Sequence, residues 1–222
     1  MFTAALFDLD DTLLDTFRTR ELTIRRIFAE YQLPLPADWD LSRLRGLELR
    51  DIFRRSGVTS EATITMLFDA YRRLYWTKSP AAARLYPGIR KMLTTLSQNG
   101  IQLGVVTTKG RDFIFEGQRA GAATELERTG VRQFFQVIVG FEDVPQPKPD
   151  PAGIMLAMAR LGASAPETLY VGDSLNDMLA ARNAGCRGCH AHWGVPPLEN
   201  CAADYTAAAP AALVKLILSG KT

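Results

Sequence analysis

Residues 3–11 read TAALFDLDD, a short apolar run that ends abruptly in carboxylates. A run of this length with no polar alternation suits a strand covered on both faces of a sheet. The pattern returns three times downstream. Residues 101–106 are apolar and β-branched and give way to Thr107-Thr108-Lys109; residues 136–140, QVIVG, lead into a proline-rich loop at 143–151; residues 168–171 run into Gly172-Asp173-Ser174-Leu175-Asn176-Asp177. Helical patterns lie between these strands. Pro87-Gly88 opens one through Ile89, Met92, Leu93 and Leu96, closed by Asn99-Gly100. Pro151 opens another through Ile154, Leu156, Met158 and Leu161, closed by Gly162. Residues 178–184 and 210–218 read as two more helices, with Gly185 ending the first of them, and residues 111–130 are also expected to be helical. Strand alternating with helix argues for an α/β fold built on a parallel sheet with both faces covered.

Residues 16–85 break the alternation. Phe17, Ile24, Ile27, Phe28 and Tyr31 recur at helical spacing, as do Ile64, Leu67, Tyr71, Leu74 and Tyr75, with Pro34 and Pro36 between the two sets. The stretch is too long for one crossover and is expected to be an all-helical domain inserted at 16–85 into a core of 1–15 and 86–222. It carries 13 basic against 8 acidic residues, within a whole chain of net charge +2. So small a total gives no reason to expect a nucleic-acid partner. A basic insertion beside a more acidic core suits an anionic small molecule held against a carboxylate-bound metal.

The chain has 222 residues, 47% hydrophobic and 23% charged, which excludes disordered, collagen-like and coiled-coil classes. No apolar run reaches membrane-spanning length, and MFTAALFDLDD meets acids too early for a secretory signal, so a cytoplasmic protein without a membrane partner is expected. Three cysteines do not make a disulfide framework. Cys186-Arg187-Gly188-Cys189-His190 has haem-attachment spacing, but Ala184-Gly185 before it looks like a helix end running into a buried strand, and a structural reading is preferred.

Four strand ends therefore carry polar residues, the position where open α/β sheets collect ligands. Asp8 and Asp10 follow the first, Thr107 the second, Lys148 lies in the loop after the third, and Asp173 and Asp177 follow the fourth. Clustered carboxylates repel one another and call for a cation; an all-oxygen donor set favours a hard ion such as Mg²⁺. Lys148 would offset remaining charge, and the Thr107 hydroxyl with strand-end amides would suit a phosphate oriented for in-line attack by a carboxylate. Asp8 and Asp10, two apart in a regular strand, are expected on one face, one ionised as nucleophile and the other a proton donor.

FDLDDTLLDT at 7–16, VVTTKG at 105–110, PKPDP at 147–151 and VGDSLND at 171–177 resemble, in order, the four motifs of the haloacid dehalogenase superfamily, in its phosphoglycolate-phosphatase-like branch. The resemblance implies a Rossmann-like core with a helical C1 cap and a Mg²⁺-dependent phosphatase acting on a small phosphate ester. Asp8 would be nucleophile and metal ligand, and Asp10 the general acid/base that also lends its backbone carbonyl to the metal. Asp173 would be a further ligand, Thr107 would bind the phosphoryl group, and Lys148 would stabilise it and position Asp8. Asp177 would support the metal's water shell or Lys148. Thr108 stands where relatives often have Asn, Gly117 to Ala123 look like extra residues, and Arg45, Gly46 and Arg50 fall where relatives' cap residues face substrate.

Rival readings separate on particular residues. An isomerase resembling β-phosphoglucomutase would carry a histidine early in the insertion, where Thr16 to Glu21 has none. A dehalogenase would lack the second carboxylate that Asp10 supplies. Phosphonate cleavage would require an inserted-domain lysine, for which Lys78 is the sole candidate. A phospho-accepting signalling module would need no helical insertion.

Overall fold

A computed structural model of the chain describes residues 1–44, 47–78, 83–197 and 201–219. The chain divides into two compact units, one of Met1–Asp15 with Arg84–Thr222, the other Thr16–Ala83.

The larger unit is built on six strands: β1 (Ala4–Phe7), β4 (Gln102–Val106), β7 (Val137–Val139), β8 (Thr168–Gly172), β9 (Arg187–Ala191) and β10 (Tyr205–Ala207). They lie side by side in the order β10-β9-β8-β1-β4-β7, every pairing parallel. Starting from β1, the chain adds strands on one side, then returns to add the rest on the other, so the order reverses between β1 and β8. A doubly wound sheet opens a crevice at such a reversal, outside the carboxyl ends of the strands. Ala4 pairs with Gln102 on one flank and Thr168 on the other, and Phe7 with Val105 and Val171. This register brings Asp8, Thr107 and Asp173 to the same edge.

Helices α4 (Ile89–Gln98), α5 (Ala122–Arg128), α6 (Ala152–Leu161), α7 (Leu175–Asn183) and α8 (Pro210–Leu218) connect or follow the strands. Leu6, Val106, Val139, Ile154, Ala157, Tyr170 and Ala180 form one buried cluster beneath α6 and α7. Gly100, Gly162 and Gly185, read as helix terminators, have φ of 73°, 67° and 73°, the left-handed region that lacks a side-chain penalty only for glycine. Gly104 serves packing instead. A Cβ there would lie 2.5 Å from Val137 Cγ1 and 2.6 Å from Leu6 Cδ2.

Two expectations are corrected. Residues 111–130 are not one helix: β5 (Phe113–Phe115) and β6 (Gln118–Ala120) form an antiparallel hairpin, and helix begins only at Ala122. Glu116 and Gly117, at φ 46° and 77°, make a turn whose two positive angles match strand twist. The extra length thus projects as a hairpin, closed at its neck by Ala122 N–H to Gly110 O and Ala123 N–H to Arg111 O, both 2.9 Å. Secondly, β1 ends at Phe7, so Asp8 and Asp10 do not share a strand face. Asp11, at φ 63°, helps turn the chain, and Asp11 N–H donates to Leu14 O at 2.7 Å. The short β2 (Leu14–Asp15) then pairs antiparallel with β3 (Arg84–Leu85), joining the two ends of the insertion at the larger unit.

The smaller unit is helical: α1 (Phe17–Glu30), α2 (Leu49–Arg55) and α3 (Glu61–Lys78), with a 3₁₀ turn at Leu41–Leu44. Ile24, Ile27, Phe28, Phe53, Ile64 and Leu67 are fully buried apolar side chains of this unit, and the Phe28 and Phe53 ring centroids stand 6.1 Å apart. Tyr31 falls at the end of α1 and is exposed, because the periodicity outlasts the helix. Among the described residues no helix is long and apolar enough to cross a membrane.

Candidate active site

The crevice side of β1 and β8 gathers three buried carboxylates. Asp8, Asp173 and Asp177 each place an oxygen within 4.8 Å of the others. Lys148, from the loop after β7, sits among them: its Nζ donates to Asp8 Oδ1 and Asp177 Oδ1, each at 2.6 Å, and to the Tyr170 hydroxyl at 3.0 Å. The loop that carries it is tied to α7 by Asn183 Nδ2 donating to Pro149 O at 3.0 Å, and Asp150 Oδ1 accepts from Ala152 N–H at the start of α6.

Asp177 owes its position to helix capping. Ser174 is the N-cap of α7, its hydroxyl accepting from Asp177 N–H, while Asp177 Oδ2 accepts from Ser174 N–H at 3.0 Å and Ser174 Oγ at 2.6 Å. This reciprocal cap starts the helix at Leu175, three residues before the apolar pattern suggests. Asp177 Oδ1 takes both Lys148 and the Tyr170 hydroxyl, the latter at 3.1 Å. Both oxygens are thereby committed to protein donors. Gly172 makes room: a Cβ there would lie 2.4 Å from Asp177 Cγ.

Burial is the largest influence on Lys148 and opposes its charge, yet Asp177, Asp8 and Tyr170 together hold its ammonium well above the ordinary lysine value. Burial likewise works against Asp177, but Lys148 and the Ser174 hydrogen bonds outweigh it and keep the carboxyl below its usual range. Asp8 is left over. Burial pushes it up to about 7, Asp177 and Asp10 add to the rise, and Lys148 offsets only part of it. Three buried carboxylates with oxygens within 4.8 Å of one another surround the Lys148 ammonium, which pairs with Asp8 and Asp177, and the donor atoms are all oxygen. This is the environment a hard divalent cation fits, with Asp8 and Asp173 the carboxylates best able to reach it.

Asp173 is held from two sides. Thr12 Oγ1 donates to its Oδ1 at 3.2 Å, and Trp193 Nε1 donates to Thr12 O at 2.7 Å, tying the turn after β1 to the loop after β9. His190, buried in β9, donates from Nε2 to the Asp173 carbonyl at 2.9 Å, while its buried Nδ1 meets no partner among the described residues. Burial lowers this imidazole's pKa, in keeping with a neutral ring. Cys186 and Cys189 are buried, and burial pushes both thiols up to about 12.

The remaining sequence-predicted residues divide. Thr107 is buried at the end of β4, its N–H donating to Val139 O at 3.0 Å, and with Thr108 and Lys148 it lines a small cavity beside Gly140 and Gly153. Asp10 stands outside the three-carboxylate group; its Oδ1 accepts from Lys109 Nζ at 2.9 Å. Arg50 donates to Thr65 Oγ1 at 3.2 Å and lies 4.6 Å over the Phe68 ring, both within the smaller unit. Arg45 and Gly46 lie outside the described residues. Three participants carried too little signal. Tyr170 reads as one more apolar strand residue, Lys109 as part of a turn, and Glu125, which meets Lys109, is separated from it by the hairpin. Ser174-x-x-Asp177 did carry a capping signature.

Residues 5–191 match the family model for haloacid dehalogenase-like hydrolases, and the chain belongs to that family. It is 34% identical over 209 residues to a protein named pyrophosphatase PpaX of Bacillus velezensis, covering 91% of this chain and 90% of that one. It is 32% identical over 229 residues to a phosphoglycolate phosphatase of Agrobacterium fabrum, covering 97% and 94%. The crystal structure of a putative haloacid dehalogenase-like hydrolase from Bacteroides fragilis superposes with a TM-score of 0.83 at 28% identity, over 98% of this chain and all (100%) of that one.

Proposed function

We propose that the protein is a Mg²⁺-dependent phosphatase that hydrolyses a small phosphorylated metabolite by transferring its phosphoryl group to Asp8. The observation that carries the reading is the carboxylate cluster at the sheet's reversal point: Asp8, Asp173 and Asp177 are buried with oxygens within 4.8 Å of one another, and Lys148 bridges Asp8 to Asp177. Mg²⁺, held by Asp8 and Asp173, would supply positive charge and screen the phosphoryl oxygens. Asp8 attacks phosphorus in line with the ester oxygen, and the P–O bond to the leaving group breaks as the new one forms. Lys148 fixes the attacking carboxylate and offers charge to the transferring group, and Asp177 fixes Lys148. Thr107 donates to a phosphoryl oxygen. Asp10 gives the leaving oxygen its proton, then takes one from the water that attacks phosphorus and frees Asp8.

The relatives' names support small phosphates as substrates: phosphoglycolate in one, pyrophosphate in another. With Mg²⁺ and p-nitrophenyl phosphate, the wild type is expected to release nitrophenol over many turnovers and Asp8→Asn to release none. A single stoichiometric burst from the wild type would refute turnover. Phosphoglycolate, pyrophosphate, sugar phosphates and nucleoside monophosphates, ranked by kcat/KM, then select the substrate class.

A further inference from the structure

The two acids of the first motif are served by two different lysines, each lying between two carboxylates. Lys148 bridges Asp8 to Asp177, as described. Lys109 repeats the arrangement: its Nζ lies 2.9 Å from Asp10 Oδ1 and 2.6 Å from Glu125 Oε2. The Glu125 side chain is 0% exposed, against 12% for Lys109 and 16% for Asp10. A carboxylate is rarely buried to that degree without a partner or a task.

We infer that Lys109, clamped by the buried Glu125, is the positioning residue for the Asp10 carboxyl, holding it apart from the Asp8, Asp173 and Asp177 group and aimed for proton transfer to the leaving oxygen. The inference rests on the role proposed above for Asp10. Its support is geometric. Asp10 lies beyond the end of β1, where its backbone bridges to Leu14, and a carboxylate two residues from Asp8 has an obvious competing destination in the same cation site. The Lys109 ammonium, 2.9 Å from Asp10 Oδ1, draws the carboxyl away from that destination.

The chain around Lys109 is itself tightly built. Lys109 N–H donates to Thr107 Oγ1 at 3.2 Å, and its carbonyl accepts from Phe141 N–H at 3.0 Å. The two hydrogen bonds at the hairpin's neck bring α5 straight back to the turn, so that Glu125 reaches Lys109 although β5 and β6 intervene in sequence. Gly121 permits the closure: it has φ 119°, and a Cβ there would lie 2.7 Å from Arg111 O. The ammonium is thus fixed through its backbone and through Glu125, and Asp10 is oriented against a rigid donor rather than a mobile surface lysine.

The test compares substrates that differ in what they ask of Asp10. Nitrophenolate departs without needing a proton, whereas the alkoxide of β-glycerophosphate needs one. Lys109→Met is expected to lose about 10- to 100-fold in kcat/KM on β-glycerophosphate and less than about 3-fold on p-nitrophenyl phosphate, a comparison made in kcat/KM because that ratio covers only the steps through departure of the leaving group and so leaves out the later hydrolysis of the aspartyl phosphate, which both substrates share. Glu125→Gln, which keeps the shape and removes the clamp's charge, is expected to lose activity with the same selectivity and carries the test if Lys109→Met does not fold. Lys109→Arg should recover part of the loss. In an Asp10→Asn background, Lys109→Met should add no further loss, because it acts through the group already removed. Equal losses in kcat/KM on both substrates, additive losses in the double variant, or lower stability with unchanged kinetics would each overturn the inference. If Asp10→Asn shows no leaving-group selectivity in kcat/KM, the acid role of Asp10 falls and this inference with it. If Asp10→Asn shows it and neither Lys109→Met nor Glu125→Gln does, the inference alone falls.

Discussion

Replacing Asp177 by Asn tests the anchor of the site directly. The Asp177 carboxylate accepts from Lys148 Nζ at 2.6 Å, Tyr170 OH at 3.1 Å, Ser174 N–H at 3.0 Å and Ser174 Oγ at 2.6 Å, in a residue only 1% exposed. Asparagine keeps one accepting oxygen. Its amide must face either Lys148 or the Ser174 N–H, so a donor meets a donor whichever way it turns. Breaking a buried charge pair by removing one partner costs about 3–5 kcal/mol. In a chain of this size each kcal/mol moves the melting temperature by about 2–4 °C, so a drop of roughly 6–20 °C is expected at pH 7. The pH dependence has a definite sign. Because the folded carboxyl is held below its usual range, its contribution is complete above the unfolded value of about 3.9 and fades as the pH falls through the folded one. The deficit relative to wild type therefore narrows in acid. Thermal unfolding followed by circular dichroism from pH 7 to pH 3 measures it. In Lys148→Met/Asp177→Asn the losses should sum to less than the two single losses, by about 0.5–3 kcal/mol. A deficit under about 1 kcal/mol at pH 7, or strict additivity, would refute the anchoring argument.

Further outcomes follow from the same geometry. Mg²⁺ at about 100 times its dissociation constant should stabilise the wild type by about 2.7 kcal/mol, and Asp173→Asn should abolish the shift in calorimetry without any assay of turnover. Gly104→Ala should cost about 1–3 kcal/mol through collision with Val137 and Leu6 while leaving kcat near wild type, whereas Gly172→Ala, which drives a Cβ into Asp177, should lower kcat as well. Thiol titration of the native protein at pH 8 should label the partly exposed Cys201 first, with Cys186 and Cys189 reacting only on unfolding, because burial pushes both to about 12.

The elements legible in the sequence were those whose signals are local. Residues 210–218 and 89–98 carry helical spacing with a proline or glycine at the proper end, and the parallel strands are apolar runs stopped by polar residues. The ends of those strands gave the site its members, since parallel register carries neighbouring ends to one edge. Residues 113–120 were misread although Phe113 and Phe115 alternate at strand spacing, because the run is only three residues long and the deciding feature was the Glu116-Gly117 turn. The paired placement of Asp8 and Asp10 failed for a related reason: strand alternation holds only as far as the strand, and β1 stops at Phe7. Tyr170, Lys109 and Glu125 acquire their roles from partners 22, 99 and 16 residues away. No local pattern encodes such distances.

The account's central claim is that Asp8 carries the phosphoryl group during turnover. Rapid quench of the enzyme with Mg²⁺ and a radiolabelled phosphate ester, followed by borohydride reduction and peptide mass spectrometry, tests it most directly. Acid-quenched protein is expected to carry the label, forming and decaying at rates consistent with turnover, and reduction is expected to release that label as phosphate and leave homoserine at position 8. Turnover with no labelled protein, or with label on another residue, would contradict the claim.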